Sequence, residues 1–131
     1  MSKVPVIAIV DDDEAMREAL SNLLQVMGYS TATFENAENF LAENPINAFD
    51  CLITDVKMPG MGGLELQKIL HEMGSSMPVI IITSHTDPTT LQRALEEGAY
   101  AYISKPFADE ELLQHLRLLL DFEPSRDGNV K

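Results

Sequence analysis

Residues 79–82 read Val-Ile-Ile-Ile, four consecutive β-branched side chains. Such a run fits a strand whose two faces are both covered, as in a parallel sheet between helical layers. The rest of the chain supplies matching elements. Residues 6–10 (VIAIV), 29–34, 51–54 and 100–103 are further strand-like runs. Between them the period changes to that of a helix. Met16, Leu20, Leu23, Leu24 and Met27 share one helical face, with Asp13 as N-cap and Gly28 as stop. Residues 37–43 form a short helix behind Asn36, with Pro45 beyond its end. Leu66, Ile69, Leu70 and Met73 mark a third helix before Gly74. Asp87-Pro88 opens a fourth, carrying Leu91, Ala94 and Leu95. Leu112, Leu113, Leu116, Leu119 and Leu120 make the fifth. Strand and helix alternate five times, which predicts a parallel sheet with helices on both faces.

The chain has 131 residues, 45% of them hydrophobic, enough for one domain with its own core. The expected domain is residues 1–120. Residues 121–131 (DFEPSRDGNVK) lose periodicity and are either a free tail or the start of a linker. Cys51 is the single cysteine, so no internal disulfide forms; it reads as a buried small hydrophobe in a protein of the reducing cytoplasm. The apolar run near the N-terminus is too short to cross a membrane, and no cleavage site follows it. The formal net charge is -12, and the nine basic residues form no stripe, which argues against direct nucleic-acid binding by this chain.

In a doubly wound sheet, ligands bind beyond the carboxyl ends of the strands. Strand one runs into Asp11, Asp12 and Asp13, strand three into Asp55, strand four into Thr83 and Ser84, strand five into Lys105-Pro106. Clustered carboxylates repel one another, and a hard divalent cation such as Mg²⁺ relieves that conflict with oxygen ligands. A lysine and a threonine serve an incoming phosphoryl group instead, as a positive charge and a hydrogen-bond donor. A carboxylate can attack phosphorus to give an aspartyl phosphate. Each piece has a plainer reading alone: acids at a helix N-terminus, a loop aspartate, a packed threonine, a solvated lysine.

Together the segments IVDDDEAMR, LITDVKMPGMGG, VIIITSHTD and YISKPF resemble bacterial two-component receiver domains, in order, over nearly the whole chain. The resemblance implies a three-layer α/β sandwich, its five-stranded parallel sheet in flavodoxin-like order 2-1-3-4-5 with five helices. It implies that Asp55 is the phosphoacceptor, with Thr83 and Lys105 on the phosphoryl group. Mg²⁺ (or Mn²⁺) would be held by Asp12, Asp55 and the Lys57 carbonyl, with Asp11 acting through water. Tyr102 matches the switch aromatic that follows Thr83, and the Lys105-Pro106 bond would be cis. Asp13 matches no catalytic position and remains a cap. Lys57 and His85 occupy the two positions that tune phospho-form lifetime. His71 and His115 read as surface residues, and Met58 and Met61 as an apolar rim of the acid pocket.

The implied partner is a histidine kinase or histidine phosphotransfer protein. The implied output is a change in the surface of the fourth helix, fifth strand and fifth helix, through docking or homodimerisation. The wording is similar to receivers joined to LuxR-type DNA-binding domains, which points to transcription regulation. A haloacid-dehalogenase-type phosphohydrolase would need an aspartate where Lys57 stands. A flavodoxin would need a phosphate-cradling loop where three aspartates stand. A pseudo-receiver scaffold usually lacks one of the key residues, and none is missing here.

Overall fold

The computed structural model describes residues 4–42, 49–84 and 87–120. The expectations for Glu43, Pro45, His85 and residues 121–131 lie outside the described residues. The elements alternate as β1 (Val6–Val10), α1 (Glu14–Val26), β2 (Ser30–Phe34), α2 (Ala37–Ala42), β3 (Cys51–Thr54), α3 (Gly63–Glu72), β4 (Val79–Thr83), α4 (Pro88–Glu96), β5 (Ala101–Ser104) and α5 (Asp109–Leu120). All strand pairings are parallel, and the sheet order is β2-β1-β3-β4-β5. This is the expected flavodoxin-like order.

The two-residue period of the strands divides the core in two. Ile7, Ile9, Ile53, Ile80, Ile82 and Ile103 face one side, where Leu20 and Leu24 of α1 and Leu112, Leu113 and Leu116 of α5 cover them. Ala8, Val10, Leu52, Val79 and Ile81 face the other, against α2, α3 and α4. Every residue of β3 and β4 is buried, which is why their sequences are almost uninterrupted apolar runs. Phe40 anchors α2 at 0% exposure, edge-on to Phe34 at 5.4 Å between centroids. Its truncation to alanine would cost about 3–5 kcal/mol.

Local signals act as the sequence suggests. The Asp13 carboxylate accepts from the backbone N–H groups of Ala15 and Met16 at 3.0 and 3.3 Å. Asn36 Oδ1 accepts from Asn39 N at 2.7 Å, and the Asp87 carboxylate from Thr90 N at 3.1 Å. Gly28, just past α1, has φ +100°, a conformation that costs glycine nothing and ends the helix.

Four expectations need correction. Of the apolar face expected on α4, only Ala94 is buried; Leu91 and Leu95 are 37% and 52% exposed, because α4 meets the sheet through its smallest side chain. Met73 caps α3 and is exposed rather than in the core. Met58 is buried against the α3 side of the sheet and is a core residue rather than part of a rim, whereas Met61 is partly buried and packs on the same cluster. His115 is half-buried, with its ring 6.1 Å from that of Tyr100, whereas His71 is exposed as expected.

Candidate functional site

Four strand ends bring together the residues singled out in the sequence. In the pairing of β1 with β3, Val10 lies opposite Thr54, so Asp11 and Asp55 leave the sheet side by side. In the pairing of β4 with β5, Thr83 lies opposite Ser104, which sets Lys105 beside them. Asp11, Asp55 and Thr83 are 3%, 8% and 0% exposed. Asp12 is exposed at the mouth of this pocket, and Lys57 is exposed just beyond Asp55.

Lys105 reaches back across the sheet edge. Its Nζ lies 2.9 Å from Asp55 Oδ2 and 3.4 Å from Asp11 Oδ2. The bond between Lys105 and Pro106 is cis. Asp55 Oδ1 accepts from Val56 N at 2.6 Å and more weakly from Lys57 N at 3.4 Å. Thr83 hydrogen-bonds the Asp55 carboxylate as well.

These contacts drive the two buried acids apart. Burial raises Asp55, but the Thr83 hydroxyl, the Lys105 ammonium and the Val56 N–H outweigh it, so its carboxyl lies below the ordinary value. Burial also raises Asp11. The Asp13 N–H and the more distant Lys105 do not offset it, and the Asp55 charge adds to it, so Asp11 holds its proton more tightly than usual. Burial lowers Lys105, yet its contacts with Asp55 and Asp11 dominate and hold it more firmly protonated. The result is an ionised, buried carboxylate in a pocket that can accept more positive charge. A pair of titratable groups pushed in opposite directions is characteristic of reactive sites.

Among the described residues, no three His, Cys, Asp or Glu side chains converge as a ready-made metal cage. The donors present are nonetheless all oxygen: Asp11, Asp12, Asp55 and backbone carbonyls. An open, all-oxygen set of this kind fits Mg²⁺, which retains several waters and rarely uses an all-protein cage. Burial raises the Asp11 carboxyl, and among the described residues Lys105 is the cation that faces both acids.

Tyr102 is half-buried on β5 and packs on the α3 side of the sheet. Burial first, then the Asp87 and Asp55 carboxylates, raise its phenol above the ordinary value, so the ring stands within electrostatic reach of the pocket.

The structure adds supports that the sequence did not reveal. Arg17 Nη1 donates to the carbonyl of Asp11 at 2.7 Å, pinning the acidic loop from α1. Glu38 of α2 accepts from Met61 N at 3.1 Å and so ties down the loop after β3. A side chain at Gly63 would put its Cβ 2.0 Å from the Asp55 carbonyl oxygen, and one at Gly62 would lie 2.5 Å from that of Val56. The paired glycines in MPGMGG were a visible signal of such close approach; nothing local marked Arg17 or Glu38.

A family model described as the response regulator receiver domain matches residues 7–117. The chain is 41% identical over 128 residues to the response regulator protein TodT of Pseudomonas putida, covering 98% of this chain and 56% of TodT. It is 39% identical over 106 residues to the transcriptional regulatory protein FixJ of Bradyrhizobium diazoefficiens, covering 81% of this chain and 52% of FixJ. The chain thus spans about half the length of these curated relatives. Among solved structures, the Vibrio cholerae chemotaxis protein CheY4 superposes with a TM-score of 0.82 at 31% identity, over 89% of this chain and 99% of that one.

Proposed function

The chain belongs to the response-regulator receiver domain family, and from that premise we propose that it is a phosphorylation switch whose phosphoacceptor is Asp55. The observation that carries this reading is Lys105 Nζ bridging Asp55 and Asp11 while the Asp55 carboxyl is held below its ordinary value. Asp55 is therefore ionised at neutral pH and able to act as a nucleophile.

In the proposed transfer, an Asp55 oxygen attacks phosphorus, a P–O bond forms, and the P–N bond of a partner's phosphohistidine breaks with departure of the imidazole. The ammonium of Lys105 exchanges its carboxylate contact for a phosphoryl oxygen, and the Thr83 hydroxyl does the same. Asp12, Asp55 and the Lys57 carbonyl, with Asp11 through water, would hold Mg²⁺ (or Mn²⁺), which when bound would supply positive charge to offset the phosphoryl oxygens. Water later attacks phosphorus and releases phosphate, so the chain catalyses its own phosphorylation and dephosphorylation.

The output surface in this reading is α4, β5 and α5. Thr83 and Tyr102 lie at its inner edge, and Leu91, Leu95 and Tyr100 give it exposed apolar side chains. Phosphorylation shifts the population of this surface and promotes docking or homodimerisation. Residues 1–120 are the receiver unit, and 121–131 a tail or the beginning of a linker. The greater length of TodT and FixJ fits an attached output domain that regulates transcription. The kinase or histidine phosphotransfer partner acts on this domain in the cytoplasm. Among the described residues, no helix is long and apolar enough to cross a membrane.

The test is intact mass after incubation with acetyl phosphate, with and without Mg²⁺, on the wild type and on Asp55→Asn. One added phosphoryl group that requires both the metal and Asp55 is expected. No adduct, with Mg²⁺ binding established separately, would replace this reading by a pseudo-receiver scaffold.

A further inference from the structure

The loop between β3 and α3 is held at two places. At its base, Gly63 N donates to the Val56 carbonyl at 2.9 Å, and Gly62 and Gly63 pack closely on the Val56 and Asp55 carbonyls. At its tip, the hold comes from another element. Glu38, in the first turn of α2, accepts from Met61 N at 3.1 Å through Oε2. The same oxygen would lie 2.9 Å from a Cβ at Gly60, where φ is +78°. A glycine in the left-handed region thus lets the loop backbone come up against the carboxylate.

This contact is not needed to start α2, because Asn36 already caps that helix through Asn39 N. What it restrains is the stretch 57–61. Lys57, whose carbonyl is the backbone ligand proposed for the cation, lies in that stretch, between the closed base and the tip. The groups that orient a metal ligand from behind govern affinity nearly as much as the ligand itself.

Resting on the receiver reading above, we propose that Glu38 is a positioning residue for the divalent cation. By holding the Met61 amide it keeps the loop, and with it the Lys57 carbonyl, in place for Mg²⁺. Glu38 serves here as a hydrogen-bond acceptor rather than as a charge, so an uncharged acceptor of the same length can replace it.

The experiment is an Mg²⁺ titration of the ¹⁵N-labelled full chain without phosphodonor, followed at the Asp55, Val56 and Lys57 amides. Urea denaturation without metal measures the stability of each variant separately. Glu38 is exposed, so neither variant below opens the core. Glu38→Ala should weaken Mg²⁺ binding about three- to tenfold, the range of one net hydrogen bond. Its acetyl phosphate adduct should need correspondingly more Mg²⁺ for half the maximal rate. Glu38→Gln keeps an acceptor for the Met61 N–H and should stay within about twofold of the wild type. Unchanged affinity in Glu38→Ala would overturn the proposal. Equal weakening by both variants would also overturn it, since the charge and not the hydrogen bond would then matter. In either case a wild type that binds Mg²⁺ and forms the adduct leaves the receiver reading standing. A wild type that binds no Mg²⁺ overturns that reading and this proposal together.

Discussion

Lys105 Nζ sits 2.9 Å from Asp55 Oδ2, although fifty positions separate the two residues in the chain. The same ammonium reaches Asp11 Oδ2 at 3.4 Å, so one cation serves two buried carboxylates. Lys105→Met would leave the acids facing each other without a counter-charge. The site opens to solvent, so the loss is smaller than for a fully enclosed pair, about 2 kcal/mol. Urea denaturation at pH 7 checks this, and saturating Mg²⁺ should restore part of the loss. A variant as stable as the wild type would mean that the pair is solvated and energetically idle.

The two acids should give opposite pH signatures. Asp55 lies below the ordinary value of 3.8 in the fold, so its contribution to stability is present above that value and disappears as pH falls through its folded value. The wild type should therefore lose stability relative to Asp55→Asn below about pH 4. Asp11 lies above 3.8, so its ionisation opposes folding once pH rises through its folded value. Asp11→Asn should be the more stable protein at pH 7, by about 1 kcal/mol, with the gain vanishing below about pH 4. Thermal melts of the three proteins from pH 3 to pH 8, without divalent ions, measure both slopes; parallel curves would contradict the assignment.

Thr83 is fully buried with its hydroxyl committed to Asp55, and Tyr102 lies opposite Ile81 on β5, two positions before Ser104, the partner of Thr83. Thr83→Ala should still form the acetyl phosphate adduct, more slowly, because Asp55 and Lys105 remain. The response of Tyr102 should be lost. The chain has three tyrosines, so the assigned Tyr102 ring resonances are the direct report on it. An unchanged Tyr102 response in the variant would remove Thr83 from the relay.

Gly63 begins α3 within backbone distance of Asp55. Gly63→Ala would drive a methyl group to 2.0 Å from the Asp55 carbonyl oxygen, so helix and strand must separate. The expected cost is about 2–3 kcal/mol, with a reduced rate of phosphorylation as the Asp55 backbone shifts. Chemical denaturation and the rate of adduct formation test the two effects separately.

Cys51 is wholly buried on β3, and burial, assisted by the Asp50 charge, pushes its thiol up to about 12. It should resist thiol reagents in the native state and react only through unfolding. Its labelling rate as a function of urea would then follow global stability. Rapid labelling of the folded chain would mean that β3 opens locally.

Much of this architecture was legible because each signal was local. Four β-branched residues at 79–82 required a strand covered on both sides, and Asp13, Asn36 and Asp87 are caps whose partners lie two or three residues away. Asp11, Asp55, Thr83 and Lys105 could be chosen because a parallel sheet places all its strand ends on one edge, so position along a strand translates directly into position in the pocket. The order of the strands came with the family resemblance, and the pairing pattern bears it out.

Only the folded chain decided what depends on the direction of a side chain across space. α4 offers three apolar residues at helical spacing, but its docking angle buries Ala94 alone. Arg17 and Glu38 look like solvated charges until the helices pack and carry them onto the Asp11 carbonyl and the Met61 amide. Gln67 resembles any surface glutamine until α3 turns it inward beneath α4. The sequence alone determined which residues lie on strands, helices and caps, since backbone sterics and hydrophobic period act over a few residues. The tertiary structure decided which charges meet, because Coulomb and hydrogen-bond energies depend on distances of a few ångströms between positions far apart in the chain.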